Sequence, residues 1–399
     1  MTTTKTKGRD MGDVRGLDGT TSEPLLSEAQ LDAAAAKAKV EADANAPPPT
    51  LASILDDALN RMDARAIGTE KPITTPWADF NTSLPGGGFW PGCHVLVAGT
   101  GVGKSTWALQ LALHAARQGT PVAYIGLELD STQIALRLVA DVAMLRWSDL
   151  YTGEGASKEP KEREKARAAA DSLRTLPFYV EHGSPMGWSA ADLQSLADRM
   201  RRAHPGEAPM LLVLDFLQIL GAEPDAVRQE IRERIGRAAY VARQIARTHN
   251  AAVLVISSLA RQNYNTENLM RDAGLMRETE KGIVTRRMMN SDVLVGLGKE
   301  SGEIEYAADS VTVALRMPDF TKSGKGSPVL FALPKLRAGR ETWCELRFNG
   351  SRFASSEDQG KAVAAHLAKP KPSNEATPTQ AKATREPSTI GTEEKKKFG

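Results

Sequence analysis

Residues 98–106 read AGTGVGKST, the residue types and spacing of a phosphate-binding loop. The pattern is Gly-x-x-x-x-Gly-Lys-Ser/Thr, and Ala98 replaces its first glycine with the next smallest side chain. Flanking Thr100 and Val102, the glycines Gly99, Gly101 and Gly103 let main-chain N–H groups come close to phosphate oxygens. Lys104 is expected to reach β- and γ-phosphates and Ser105 to hold Mg2+, with Thr106 next in the first helical turn. The chemistry these residues imply is ATP binding.

Two carboxylates extend it. In MLLVLDFLQIL an apolar run ends in Asp215, where an aspartate at the carboxyl edge of a sheet holds Mg2+ directly or through water. Glu128 closes VAYIGLE, where a carboxylate either polarises an attacking water or caps the helix that follows.

A phosphate loop needs a strand before it and a helix after it, and HVLVAGTGVGKSTWALQLALHAA reads as both. The helix then aims its positive N-terminal end at the phosphates. From residue 76 to about 354, short β-branched runs alternate with helical stretches. The strands are HVLVAG, VAYIGLE, FYVEH, LLVLDF, AVLVIS, SVTVAL, VLFAL and WCELRFN; the helices include 104–118, 131–145, 189–203 and 230–249. Apolar strands without polar alternation imply an α/β fold, a largely parallel sheet covered by helices on both faces. The last three strands have no helix between them and predict an antiparallel C-terminal extension.

The 399 residues carry a formal charge of only +2, so no global field points to nucleic acid or a membrane, and a basic surface must be local. The two cysteines, Cys93 and Cys344, sit in apolar runs and read as reduced core thiols. No run approaches the roughly 18 apolar residues of a membrane span, and the N-terminus lacks the apolar stretch of a signal peptide. These readings lead us to expect a soluble, cytoplasmic protein with no membrane partner.

Residues 1–50 are polar and Ala-rich, and 355–399 are rich in Pro, Thr and Lys; both read as disordered tails. Within 51–71, Leu51, Ile54, Leu55, Ala58, Leu59 and Met62 recur at helical spacing behind a candidate N-cap, Thr50. The resulting apolar stripe must be buried on its own domain or on another subunit.

The region from about 72 to 354 resembles the C-terminal ATPase domain of DnaB-type replicative helicases, which has a RecA-like fold. That family often carries Ala at the first loop position, as AGTGVGKST does. GLELDSTQIALRLVA is similar to the segment carrying its catalytic glutamate, here Glu128. VLDFLQIL is similar to its metal-binding strand, here Asp215, with Gln218 at the family's glutamine. NSDVLVGLGKESGEIEYAADSV resembles its DNA loop, which makes Lys299, Glu300 and Gly302 candidate contacts to the nucleic-acid backbone. LPKLRAGRETWCELRFNGSRF resembles the segment that reaches the neighbouring subunit's ATP, giving Lys335 and the arginine-finger candidate Arg337. An arginine on the final strands does not easily reach its own phosphate loop, whereas a finger in trans explains a ring and stabilises transition-state charge.

The resemblance implies an ATP- and Mg2+-dependent DNA helicase or translocase. Its partners would be single-stranded DNA, further copies of the chain in a hexamer, and loader or replication proteins. Alternatives are a RecA-like recombination or repair ATPase without unwinding activity and an ATP-gated interaction module. The family's folded collar, which recruits primase, has no counterpart in the first 50 residues, so no primase partner is expected. Residues 51–65 fall where the family has a linker helix docked on the adjacent subunit. In VLVISSLARQ, Ser258 stands where the family senses the γ-phosphate through a glutamine, with Gln262 as a candidate substitute. Residues 263–290 form a polar insertion made basic by Arg271, Arg277, Arg286 and Arg287, which lines a DNA channel or stays solvated.

Overall fold

The computed structural model describes residues 48–182, 188–215, 217, 231–260, 265–279, 282–285, 289–298, 306–317 and 326–355. The chain divides into two units, Met1–Glu70 and Lys71–Gly399.

In the first unit, helix α1 (Leu51–Ala66) begins where Thr50 accepts a hydrogen bond from the Ser53 N–H at 3.4 Å, so the expected cap is present. Burial alone would raise the pKa of the Glu70 carboxyl, but its pairing with Arg61 and Arg65 brings it below the ordinary value. No residue of α1 is buried.

The second unit is built on a nine-stranded sheet. Its strands are β1 (Gly92–Ala98), β2 (Val122–Gly126), β3 (Phe178–His182), β4 (Met210–Asp215), β5 (Ala251–Ser258), β8 (Ser310–Arg316), β9 (Ser327–Leu336), β10 (Thr342–Phe348) and β11 (Phe353–Ser355). The spatial order is β11-β10-β9-β8-β1-β5-β4-β2-β3. From β8 to β3 all neighbours are parallel. From β8 to β11 they are antiparallel. SVTVAL, expected in the antiparallel extension, therefore also pairs parallel with β1, and the extension gains the short strand β11, which the sequence did not announce.

The unit also contains helices α2 (Ala78–Thr82), α3 (Lys104–Arg117), α4 (Ser131–Ala143), α5 (Trp147–Thr152), α6 (Pro160–Leu173), α7 (Ala190–Ala203) and α8 (Ile231–Thr248). The expected helix 131–145 stops at Ala143, because Met144 takes a left-handed φ of 58°. Strand alternation splits the core in two. Cys93, Val95 and Val97 face the cluster formed with α7 and α8, while Leu96 and Ala98 face the cluster formed with α3. Ile235, Ala238, Ala242 and Ile245 recur at helical spacing on α8, which covers the sheet as its stripe requires.

The insertion 263–290 is not a solvated loop throughout. It contains α9 (Thr266–Asp272) and the hairpin β6 (Met276–Thr279) and β7 (Gly282–Thr285), ahead of α10 (Ser291–Val295). Leu269, Met270, Ala273 and Leu275 join the core, so apolar residues anchor what looked polar overall. Arg286 and Arg287 lie outside the described residues, as do 1–47 and 356–399.

Candidate nucleotide site at the carboxyl edge of the sheet

Register brings the candidate residues together. Ala98 on β1 stands opposite Ser258 on β5 and Ala314 on β8, and Gly126 on β2 stands opposite Asp215 on β4. All these strands end at one edge, where an open α/β sheet binds ligands. Strand β2 stops at Gly126, so Glu128 lies just beyond it rather than in it. The Leu127 N–H donates to the Asp215 carbonyl at 2.7 Å, fixing the departure of that segment toward the cleft.

The loop from Gly99 to Gly103 turns through left-handed φ values of 74° at Gly101 and 105° at Gly103. Gly103 also has no room for a side chain. A Cβ there would stand 2.9 Å from two ring carbons of Phe353. Gly103 caps α3, whose N-terminal end points into the loop. The Lys104 ammonium donates to the Gly99 carbonyl at 3.3 Å, across the mouth of the loop. A cleft of about 370 Å³ opens here, lined by Thr100, Gly101, Gly103, Lys104, Ser105, Thr106, Glu128 and Ser258, together with Arg137, Trp147, Phe348 and Gly350.

Asp215 is buried beside this cleft, and burial pushes its carboxyl above the usual pKa. The Tyr124 hydroxyl and the nearby Ser105 hydroxyl act against that shift. The Tyr124 hydroxyl donates to Oδ2 at 2.6 Å, while buried Oδ1 has no hydrogen-bond partner among the described residues. A buried carboxylate with an orphaned oxygen beside a serine hydroxyl is a donor set that fits a hard divalent cation. Ser105 and Asp215 would hold it.

Several site residues carry little signal in the sequence. Arg137, nine positions after Glu128 on α4, stacks its guanidinium 4.0 Å over the Trp147 ring. Burial lowers its pKa, while Tyr124, Asp215 and Glu128 favour its charge. Arg316, closing β8, donates to the Gly101 carbonyl and so braces the loop from a strand far along the chain. Tyr124 looks like an ordinary strand residue. The available signal is weak: Arg316 is a charge ending an apolar strand, and Arg137 a charge on a half-buried helix.

Lys335 and Arg337 stand elsewhere. Strand β9 runs antiparallel to β8, with Leu336 opposite Ser310, so both residues lie at the amino edge of the parallel strands. Arg337 pairs with Asp309 at 3.3 Å, and the Asp309 N–H donates to the carbonyl of Cys93 near the start of β1. The length of β1 separates that edge from Ala98, roughly 20 Å at about 3.3 Å per residue. Neither side chain reaches the phosphate loop of its own chain. Gln218, Gln262, Lys299, Glu300 and Gly302 lie outside the described residues.

A glycine loop capping a helix, an acidic pair beside it and a mostly parallel sheet define a phosphate-loop nucleotide-binding protein of RecA-like fold. The profile of the DnaB-like helicase C terminal domain matches residues 73–355, and the chain belongs to that family. Among similar proteins, the replicative DNA helicase DnaB of Synechocystis is 31% identical over 42% of this chain and 18% of its own length. That of Pasteurella multocida is 24% identical over 66% of this chain and 51% of its own. The chain thus spans about half, or less, of these relatives' lengths. The solved structure of a DnaB-like replicative helicase shares the fold with a TM-score of 0.57 and 19% identity, over 82% of this chain and 71% of that one.

Proposed function

We propose that the chain is an ATP-dependent DNA helicase or translocase that works as a ring and hydrolyses ATP at its subunit interfaces. The observation that carries this reading is the separation of Arg337 and Lys335 from the loop on the opposite edge of their own sheet. A site with Lys104, Glu128 and Asp215 in cis and its cations on the far edge is completed only by another copy. Hexameric assembly around single-stranded DNA, contacted by Lys299, Glu300 and Gly302, follows from the family pattern.

Lys104 and the loop amides from Gly99 to Thr106 hold the β- and γ-phosphates, with the α3 N-terminus adding a positive end. Glu128 orients and polarises the attacking water. The partner subunit's Arg337, with Lys335, neutralises charge as the terminal phosphoryl leaves. Ser105 and Asp215 would hold Mg2+, which would supply charge neutralisation on the phosphates. Ser258 lines the cleft where it can contact the terminal phosphate, directly or through water. Helix α1 docks its apolar stripe on an adjacent copy.

The test is native mass measurement with Mg-ATP and single-stranded DNA, followed by a forked-duplex unwinding assay with wild type and Lys104→Ala. A ring that displaces a strand only with intact Lys104 is expected. A ring that hydrolyses ATP on DNA but never displaces a strand rejects the helicase and leaves a recombination-type ATPase. A chain that stays monomeric under these conditions rejects both.

A further inference from the structure

An arginine finger acts only if its guanidinium is held where the neighbour's phosphate arrives, and arginine has many rotamers to lose. Arg337 follows the end of β9, in a turn where no regular ladder fixes it. Asp309, in the segment before β8, supplies the fixing instead. Its carboxylate takes the Arg337 guanidinium on Oδ1 at 3.3 Å and the Cys93 N–H on Oδ2 at 2.9 Å. Its carbonyl accepts the Arg337 N–H at 3.0 Å, and the Tyr306 carbonyl takes a second guanidinium nitrogen at 3.3 Å. The approach to β1 is close enough that a Cβ on Gly92 would stand 3.0 Å from Oδ2. Arg337 nevertheless stays 42% exposed, so the mount leaves it presented outward.

We propose that Asp309 is the positioning residue of the finger: one carboxylate locks Arg337 to the opening of β1 and aims it at the adjoining subunit's nucleotide. This rests on the reading of Arg337 as a finger in trans. Strand β1 runs from that mount to the chain's own phosphate loop, so it joins the anchor of the finger to the loop that holds the nucleotide. The competing role, in which Asp309 merely ties β8 to β1, places its effect in its own subunit.

The two roles separate in mixed rings. Asp309→Asn keeps an oxygen for the Cys93 N–H but removes the charge opposite Arg337. The readout is retention of ADP with aluminium fluoride, a transition-state mimic that reports each subunit junction without requiring turnover. Alone, Asp309→Asn should retain the mimic on the order of 10²-fold less tightly, the cost of a finger misplaced by about 1 Å, with ADP affinity unchanged. Mixing it with Lys104→Ala subunits, which bind no nucleotide but carry an intact mount, should restore retention at the mixed junctions. Arg337→Ala mixed with Lys104→Ala is the reference. If that reference is restored and Asp309→Asn is not, or if Asp309→Asn alone retains the mimic as wild type does, the positioning role is wrong and the finger stands. If Arg337→Ala is not restored by mixing, the finger in trans falls and the proposal with it.

Discussion

At the scale of single residues, Asp215 shows how a functional group is kept at a cost. Its carboxyl is buried and its pKa is raised by that burial, with Tyr124 donating to Oδ2 while Oδ1 is left without a hydrogen bond among the described residues. A folded-state pKa above the unfolded value means the ionised form opposes folding. The penalty is absent below the unfolded pKa of about 3.8, grows as pH rises through the folded value and persists at neutral pH. Asp215→Asn should therefore raise the melting temperature at pH 7, by roughly 2–4 °C per kcal/mol recovered. The gain over wild type should shrink toward zero as the pH approaches about 4. The same substitution should lower Mg2+-dependent hydrolysis by about 10²-fold or more. Thermal melts across pH, paired with phosphate release, check both. A melting temperature that falls at pH 7 would show that the carboxylate stabilises the fold.

At the scale of elements, the phosphate loop depends on the strands that close the chain. Trp107 of α3 stacks on Trp77 at 5.4 Å and on Phe331 of β9 at 5.8 Å, while Phe353 of β11 stacks on Phe348 at 4.6 Å. This aromatic layer presses Phe353 against Gly103, the glycine that starts the helix. Gly103→Ala combines a left-handed backbone with that contact, a strain of about 1–3 kcal/mol. We expect nucleotide affinity to fall by about tenfold or more, measured by titration with a fluorescent ADP analogue. Adding Phe353→Leu relieves the contact but leaves the φ of 105°, so recovery should be partial. Full affinity in Gly103→Ala alone would mean that β11 does not constrain the loop.

At the scale of the whole molecule, the proposed assembly gives the apolar stripe of α1 a partner. Leu51, Leu55, Leu59 and Met62 of α1 are each at least half exposed, an apolar stripe that the proposed docking on an adjacent copy would bury. A fully buried leucine contributes about 1.5–3 kcal/mol, so Leu55→Ser with Leu59→Ser should weaken assembly on the order of 10²-fold or more. Sedimentation should then show smaller species at the same concentration, with ADP affinity per chain unchanged. An unaltered ring would exclude α1 from the interface.

The sequence by itself determined the phosphate loop, because Gly101, Gly103, Lys104 and Ser105 act through local backbone geometry and a helix end. Apolar runs likewise announced the strands and the parallel sheet, since a strand buried on both faces has no polar alternation to show. Glu128 and Asp215 could be picked out as candidates because one closely follows an apolar strand and the other ends one. The tertiary structure alone decided which distant groups join them. Tyr124 meets Asp215 because β2 lies beside β4, and Arg316 reaches Gly101 because β8 lies beside β1. Lys335 and Arg337 are close to Arg316 in sequence yet stand at the other edge, because β9 reverses direction. Pairing order and strand direction are long-range choices made by packing, and no local spacing encodes them. Those choices set Arg337 on Asp309 and keep it away from its own loop.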